Sequence, residues 1–250
     1  MSNLLDGKVA FVTGSATGLG RAIVEAFAEA GASGIGFDVA EDPEPLPKGW
    51  STITGDVAKE ELISAALTHT HDVYGRLDCV VANAGLVPPW SDTAGIDLDE
   101  WDRVFAVNVR GAIATIKNSV PLMRDSGGSI IAMGSLNSHR AHGSQCLYTA
   151  SKHAVLGIVR ATALDVGRYG IRVNALGPGP IATDALLGRL HSRAQQGGPA
   201  ADAVLEQFAA DTALRRMATA TDVARAAVFL ASELSSGISG HLIPVDAGLA

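Results

Sequence analysis

Short apolar runs alternate with longer amphipathic stretches along most of the chain. The runs read "KVAFVTG", "GIGFDV", "STITGDV", "LDCVVANAG", "GSIIAMGS", "IRVNALGPG" and "GHLIPVDAG". Between most of them lie stretches such as "GRAIVEAFAEAG", in which apolar residues recur at helical spacing. Near-continuous apolar strands alternating with amphipathic helices are typical of a parallel sheet covered on both faces. The pattern therefore predicts an α/β fold with one doubly wound parallel sheet of about seven strands.

Two segments interrupt this alternation. Residues 41–50, "EDPEPLPKGW", carry three prolines at alternate positions. Proline lacks an amide donor and clashes with the preceding helical turn, so we expect no full crossover helix here. Residues 183–212, around "HSRAQQGGPAADA", form a long connection broken by Gly-Gly-Pro. Long loops in compact domains are often functional, and we predict a substrate loop or lid at this position.

Composition and charge narrow the class of protein. The 250 residues are 47% hydrophobic and 18% charged, a compact globular profile with no linker or repeat, so residues 1–250 are predicted to be one domain. The net charge of −7 argues against nucleic acid or an anionic membrane as a partner. No apolar stretch reaches ~18 residues and no leader-like segment opens the chain, which favours a cytoplasmic setting. No Cys, His or carboxylate spacing suggests a metal site.

A glycine-rich loop, "TGSATGLG", follows the first predicted strand and leads into a helix. Its glycines are Gly14, Gly18 and Gly20. Such a loop lets the backbone approach a pyrophosphate, while the amides of the helix N-terminus supply hydrogen-bond donors. This context indicates a Rossmann-type dinucleotide site, with a purely structural strand-to-helix turn as the alternative.

Asp38 ends the second predicted strand, 24 positions after Gly14. A carboxylate there can accept a hydrogen bond from the adenosine ribose and repel a 2′-phosphate. No Arg or Lys precedes Arg21 in the glycine loop, and the next one after Asp38 is Lys48. The pattern favours NAD over NADP, unless Asp38 only opens a turn.

Polar residues also follow two further strands. Asp56 and Val57 follow the third predicted strand, and Asn83, Ala84 and Gly85 follow the fourth. In open α/β sheets, ligands bind at this carboxyl edge. Turn formation would explain either group equally well.

The stretch "YTASK" places Tyr148 and Lys152 four residues apart. On a helix these positions share one face, and a nearby ammonium group lowers the pKa of a phenol. The alternative is an ordinary pair on the protein surface.

Along essentially its whole length the chain resembles the short-chain dehydrogenase/reductase family. "TGSATGLG" is similar to the family's cofactor loop, "DV" at 56–57 to its adenine contact, and "NALGPGPIAT" at 174–183 to its nicotinamide-side motif. "ANAG" at 82–85 departs from the family's N-N-A-G motif because Ala82 replaces the first Asn. The resemblance implies an NAD site made by Gly14, Thr17, Gly18, Leu19, Gly20, Asp38, Asp56, Val57, Asn83, Ala84, Gly85, Tyr148, Lys152, Pro178, Ile181 and Thr183.

The same resemblance implies a catalytic set. Tyr148 would exchange a proton with the substrate oxygen, and Lys152 would lower the pKa of Tyr148 and hydrogen-bond the nicotinamide ribose. Ser135 would orient the reacting oxygen, and Asn108 would hold a water that links Lys152 to solvent.

The resemblance thus implies an NAD-dependent oxidoreductase that interconverts a secondary alcohol and its ketone. The substrate is expected to be cyclic or hydrophobic, dihydrodiols included. Pocket candidates, chosen by position, are Ser135, Asn137, Gln145, Tyr148 and Gly179; whether His139, His142 or Trp90 also line the pocket stays open. A homotetramer built on helices near 98–124 and 148–168 is implied too.

Two alternatives remain at this point. A 3-oxoacyl thioester reductase would share the catalytic set, although Asp38 argues against the NADPH that such enzymes usually take. A non-catalytic NAD-binding regulator would be expected to lose Ser135, Tyr148 or Lys152, and this chain keeps all three.

Overall fold

The computed structural model describes residues 3–195 and 197–249, and its centre is one parallel sheet. The strands are β1 (Val9–Thr13), β2 (Ser33–Asp38), β3 (Trp50–Thr54), β4 (Cys79–Ala82), β5 (Gly128–Met133), β6 (Ile171–Pro178) and β7 (Leu242–Val245). Their order across the sheet is β3-β2-β1-β4-β5-β6-β7, and every pair is parallel. The predicted doubly wound sheet of about seven strands is confirmed.

Helices cover both faces of the sheet. They are α1 (Gly18–Glu29), α2 (Glu60–Tyr74), α3 (Leu98–Phe105), α4 (Ala112–Met123), α5 (Cys146–Val166), α6 (Asp184–Gln195), α7 (Ala201–Ala210) and α8 (Ala220–Ala231). Because side chains alternate along a strand, β1 sends Ala10 and Val12 into a core under α1 and α8, and Phe11 into a core under α2, α4 and α5. Burial on both faces explains the near-continuous apolar strands.

The connection from β2 to β3 contains no helix in residues 39–49, as the three prolines predicted. Arg21 fixes this segment from α1 by donating to the carbonyl oxygens of Glu44 and Pro45, at 2.8 and 2.9 Å. The shortened second unit is therefore an ordered feature of the fold.

One long helix was predicted near 98–124, and the structure divides it. A π-helical segment, Ala106–Gly111, separates α3 from α4. Gly111 lies tightly against Val57, since a Cβ atom built on it would be 3.0 Å from the Val57 side chain. Short π-helical turns are frequent at functional sites, and this one carries the buried Asn108.

Residues 183–212 are mostly helical, so the prediction of a loop was wrong in its secondary structure. Helices α6 and α7 occupy most of the segment, and the Gly-Gly-Pro break forms the connection between them. The "DALLGRLHSRAQ" stretch carries enough apolar residues to anchor a helix, and its Leu190 is buried. Movement of this helical pair as a lid stays a prediction.

Candidate active site

The candidate site lies at the carboxyl edge of the sheet. The chain leaves β1 toward β2 on one side, whereas β4 lies on the other side, so the strand order reverses between β1 and β4. Such a reversal opens a crevice in which ligands bind. The residues that end these strands or follow them closely, and so reach this edge, are Gly14, Asp38, Asp56, Asn83, Ser135 and Gly179.

Two glycines allow the first turn to pack closely. A Cβ atom on Gly20 would lie 1.8 Å from the Gly14 carbonyl oxygen, and one on Gly14 would lie 2.8 Å from the Ala84 Cα. Side chains at these positions would push α1 and the β4 loop away from β1. Gly18 differs, because its surroundings are open and its φ is +57°.

The start of α1 suits an anionic ligand. Thr17 is the N-cap residue, yet its side chain makes no capping hydrogen bond, and the first turn holds no acidic residue. The amides of this turn therefore keep their hydrogen-bonding capacity, and the open space beside Gly18 lies at the same point. These features fit the pyrophosphate of a dinucleotide.

Asp38 is fixed against the glycine loop. Its carboxylate accepts hydrogen bonds from the amides of Ala16 and Ala40, at 2.9 and 3.0 Å. Arg21, the first cation after the glycine loop, is already bound to Glu25 at 2.7 Å and to the β2–β3 connection. The charge beside the loop is thus negative, which agrees with the sequence-based preference for NAD.

Asn83 joins β4 to β1. Its Nδ2 donates to the carbonyl oxygens of Thr13 and Gly14, at 2.9 and 3.0 Å. The Thr13 hydroxyl accepts from the amides of Asn83 and Ala84 in return, at 3.0 and 3.1 Å. Thr13 opens the glycine-loop motif, but nothing in the sequence indicates its role, since the Asn83 and Ala84 amides that it binds lie about 70 positions later in the chain.

Asp56 and Val57 lie at the carboxyl edge of the sheet and also stabilise the local fold. The Asp56 carboxylate accepts from the Ala58 amide at 2.9 Å, which is the turn chemistry considered as the alternative. Val57 is buried in the second core. Their contact with adenine stays a prediction.

The Ser135 hydroxyl lies near Tyr148 and lowers the pKa of its phenol. Ser135 is itself held by Ser138, whose hydroxyl accepts from the Ser135 amide at 3.1 Å. Burial raises the pKa of Tyr148 by more than Ser135 and the charge of Arg189 lower it. The sequence predicted a lowered pKa, so desolvation outweighs the favourable neighbours in this structure.

Lys152 lies one helical turn from Tyr148. Its Nζ is 5.7 Å from the centroid of the Tyr148 ring and donates to the Met133 carbonyl oxygen at 2.8 Å. Burial lowers the pKa of Lys152 to about 8. The structure therefore brings the predicted pair together, with the ammonium group almost wholly desolvated.

Asn108 is adjacent to this pair and is tied to the β4 loop. Its Oδ1 accepts from the Leu86 amide at 2.6 Å, and its Nδ2 donates to the Leu86 carbonyl at 2.9 Å and to Ser151 Oγ at 3.2 Å. A Cβ atom on Gly85 would lie 3.4 Å from Asn108 Oδ1 and 3.6 Å from Lys152 Nζ. Asn108 thus positions the loop, and the predicted water relay stays a prediction.

Two of the residues predicted by position to contact substrate are linked to each other. Asn137 Nδ2 donates to Gln145 Oε1 and to Thr149 Oγ1, both at 2.9 Å, which fixes the segment before α5. Gly179 packs elsewhere, on Asp246 after β7, where a Cβ atom would be 2.9 Å from the Asp246 Cβ.

The remaining predicted cofactor residues follow β6. Pro178 ends the strand, and Ile181 is buried and bridges to Ala218. Thr183 Oγ1 accepts from the Leu186 amide at 3.4 Å at the start of α6. This stretch therefore leads directly from the sheet edge into the helical segment beside the site.

The sequence left open whether Trp90 lines the pocket, and it gave no sign of a role for Arg189. The guanidinium carbon of Arg189, on α6, is 4.0 Å from the centroid of the Trp90 ring. The i,i+4 spacing of Arg189 and Arg193 gave no reason to connect them with a tryptophan nearly 100 positions earlier. His139 and His142 are exposed in the loop before α5.

Features outside this edge are few. A cavity of about 410 Å³ lies elsewhere, lined in part by Lys8, Asp78 and Arg172, and none of the predicted site residues lines it. Within the described ranges no cluster of His, Cys, Asp or Glu could hold a metal ion. Among those same residues, no helix is both long enough and apolar enough to span a bilayer.

Comparison with known proteins gives matches along the whole chain. The family described as enoyl-(acyl carrier protein) reductase matches residues 14–250. Short-chain dehydrogenase reductase 3a of Arabidopsis thaliana is 36% identical, over 99% of this chain and 97% of its own. (+)-Borneol dehydrogenase 2 of Salvia officinalis is 37% identical, over 97% and 89%. The structure of carveol dehydrogenase from Mycobacterium avium in complex with NAD is 29% identical with a TM-score of 0.90, covering 99% of each chain.

Proposed function

The chain belongs to the short-chain dehydrogenase/reductase family, and on that premise we propose that it is an NAD-dependent enzyme that interconverts a secondary alcohol and its ketone. The observation that carries this proposal is the cluster of Ser135, Tyr148 and Lys152 at the carboxyl edge of the sheet, where Lys152 Nζ is 5.7 Å from the centroid of the Tyr148 ring. The borneol and carveol dehydrogenases among its relatives support a cyclic or hydrophobic alcohol.

The residues of the site have separate roles in this reaction. In the oxidative direction Tyr148 takes the proton from the substrate hydroxyl, while Ser135 hydrogen-bonds the same oxygen and holds it in place. The buried charge of Lys152 favours the phenolate form of Tyr148. When bound, the nicotinamide cofactor supplies the redox chemistry by accepting or returning a hydride.

The preference for NAD rests on Asp38. Its carboxylate lies against the glycine loop, where it can accept a hydrogen bond from a ribose hydroxyl and repel a phosphate at that position. Arg21 is bound to Glu25 and to two carbonyl groups, so it is not free to attract such a phosphate.

A second candidate is the reduction of an acyl thioester. The description of the matching family, enoyl-(acyl carrier protein) reductase, supports an acyl thioester as substrate, although an enoyl group is reduced at its carbon–carbon double bond and a 3-oxoacyl group at its ketone. Asp38 and the net charge of −7 weigh against it, because an acidic carrier protein is attracted by a basic surface. A reductase of this kind would oxidise NADPH with a 3-oxoacyl thioester and leave cyclic alcohols untouched.

We also propose that the protein assembles as a homotetramer. The support is the apolar surface on the long helices, where Leu98, Ile113 and Leu164 are exposed on α3, α4 and α5.

The test of the proposed function is reduction of NAD⁺ and NADP⁺ in parallel over a panel of secondary alcohols. The panel includes borneol, carveol, dihydrodiols and 3-hydroxyacyl thioesters. We expect NAD⁺-dependent oxidation of cyclic alcohols, and in Asp38→Ser a shift of the NAD⁺/NADP⁺ ratio of kcat/KM toward NADP⁺ by about tenfold or more. Turnover of thioesters alone with NADP⁺, or an unchanged ratio in the variant, would contradict the proposal.

A further inference from the structure

Two arginines of α6 lie on the ring of Trp90. The guanidinium carbons of Arg189 and Arg193 are 4.0 and 5.2 Å from the ring centroid. A guanidinium stacked on tryptophan is attracted to the face of the ring and keeps a defined plane. The nearer cation, that of Arg189, is therefore held in place by the protein.

Among the residues that the structure describes, none is an anionic partner for the half-buried guanidinium of Arg189. Its Nε is buried and makes no hydrogen bond to any residue that the structure describes. None of the ion pairs within residues 3–195 and 197–249 includes it. Burial lowers the pKa of Arg189, which reflects the cost of desolvating an unpaired cation. An anion bound at this point would complete the site.

The Trp90–Arg189 stack lies beside the catalytic residues. Ser91 forms a parallel bridge with Gln145, and its amide donates to the Ser144 carbonyl at 3.0 Å. These contacts bring Trp90, the neighbour of Ser91, close to Gln145, the N-cap residue of α5, which lies three residues before Tyr148. The charge of Arg189 also lowers the pKa of Tyr148, which agrees with this placement.

We propose that Arg189 determines specificity by binding a carboxylate of the substrate while the hydroxyl group of the same molecule lies at Tyr148 and Ser135. A planar guanidinium presents paired N–H donors that match the two oxygens of a carboxylate. This inference rests on the proposed function and narrows its substrates to secondary alcohols, or ketones, that carry a carboxylate. Because the net charge of −7 repels anions, a local cation is needed to attract one.

The experiment compares two probes with the same ring, cyclohexanecarboxylate and cyclohexanecarboxamide. Each is titrated by calorimetry into the enzyme saturated with NADH, whose reduced ring carries no positive charge that would attract the carboxylate. Since a charge-assisted hydrogen bond stabilises a complex more than a neutral one does, we expect the carboxylate to bind about tenfold or more tightly than the amide.

Matched variants assign this preference to one residue. In Arg189→Leu the two probes are expected to bind within about twofold of each other, whereas Arg193→Leu, which removes the more distant and exposed arginine, should keep the preference. Arg189→Lys keeps the charge without the planar donor pair, so it should retain part of the preference. The lysine variant also serves if the leucine variant fails to fold.

Two outcomes would overturn the inference: the native protein binds the two probes equally tightly, or the preference survives in Arg189→Leu. If the preference survives and that variant also binds NADH about tenfold more weakly, Arg189 would be assigned to the cofactor phosphates. Oxidation of neutral cyclic alcohols with NAD⁺ is measured separately, so the proposed function can stand when this inference fails. If carboxylate binding depends on Arg189 but no alcohol is oxidised, the anion site is supported and the proposed alcohol oxidation is contradicted.

Discussion

Lys152 is only 4% exposed, and within the described part of the chain its ammonium group makes one hydrogen bond, to the Met133 carbonyl. Taking a cation out of water costs free energy unless an anion or several acceptors compensate. The lowered pKa, about 8, is the expression of that cost. A titratable residue that is strongly desolvated and has so few compensating hydrogen bonds is typical of a site that transfers protons.

The burial of Lys152 predicts a pH dependence of stability. The folded protein releases this proton near pH 8, whereas a lysine in the unfolded chain releases it near 10.4. Between these values the unfolded state binds more protons, so the contribution of Lys152 to stability rises with pH. The native protein should therefore become more stable relative to Lys152→Met as the pH rises. The difference between their free energies of unfolding should increase by about 2–3 kcal/mol from pH 7 to pH 10.

Denaturant unfolding of the cofactor-free protein at several pH values measures this difference. The control is Lys48→Met. Because the Lys48 side chain is exposed, the difference in unfolding free energy between the native protein and this variant should not change with pH. A flat difference for Lys152→Met as well would mean that the ammonium group is not desolvated in solution.

At the scale of single residues, local spacing identified some members of the site and could not identify others. Tyr148 and Lys152 are four apart on one helix, so their proximity follows from helix geometry alone. Arg189 meets Trp90 only because α6 folds back over the loop that follows β4. Contacts between distant segments leave no local pattern, and for this reason the sequence missed Arg189 and Thr13.

At the scale of elements, close packing between the β1 turn and α1 sets the shape of the cofactor crevice. Gly20 has no room for a side chain, because a Cβ atom would meet the Gly14 carbonyl oxygen, and the backbone cannot move away cheaply. Gly188, in the middle of α6, has nothing within 4 Å of that position. The two helical glycines therefore differ in the space left for a side chain, which is absent at Gly20 and open at Gly188.

Alanine at these two positions should change stability in opposite directions. Gly20→Ala is expected to lower the free energy of unfolding by about 3 kcal/mol or more through overpacking, and to weaken NADH binding. Gly188→Ala should raise it by about 0.5–1 kcal/mol, because alanine favours the helix. Thermal and denaturant unfolding measure both effects, and equal stability of the two variants would contradict the packing described for Gly20.

The elements themselves were predictable where one pattern dominated. Buried strands and the missing crossover helix followed from apolar runs and from three prolines. The helices of residues 183–212 were obscured by the Gly-Gly-Pro break, and the π-helical segment by an apolar pattern that continues through it. Packing of Gly111 on Val57, a contact between distant parts of the chain, marks where that helix changes.

At the scale of the whole molecule, the alternation of strands and helices was enough to predict the sheet and its carboxyl edge. Right-handed crossovers then leave few ways to order the strands. The same pattern does not predict subunit assembly, because an apolar helix face can be buried within one chain or between two chains. Leu164 on α5 is 86% exposed, which points to the second possibility.

The proposed tetramer predicts the effect of a charge at that position. Leu164→Glu would place a carboxylate in the interface, where it has no partner, and should shift the assembly toward dimers or monomers of 25.6 kDa. Val73→Glu, on α2 and outside the proposed interface, should leave the assembly intact. Light scattering after gel filtration measures the mass, and a native protein that is monomeric would contradict the tetramer.

The central claim is that Tyr148 exchanges the proton with the substrate oxygen, and the substitution Tyr148→Phe tests it most directly. The measurement is kcat for the alcohol that the native protein oxidises best with NAD⁺, together with the dissociation constant of NADH. We expect kcat to fall by about 10²–10⁴-fold with NADH binding unchanged, since only the hydroxyl group is lost. Tyr169→Phe, which removes the hydroxyl of a tyrosine whose ring contacts the guanidinium groups of Arg124 and Arg168, should keep full activity. A Tyr148→Phe enzyme that oxidises the alcohol at the native rate would contradict the account.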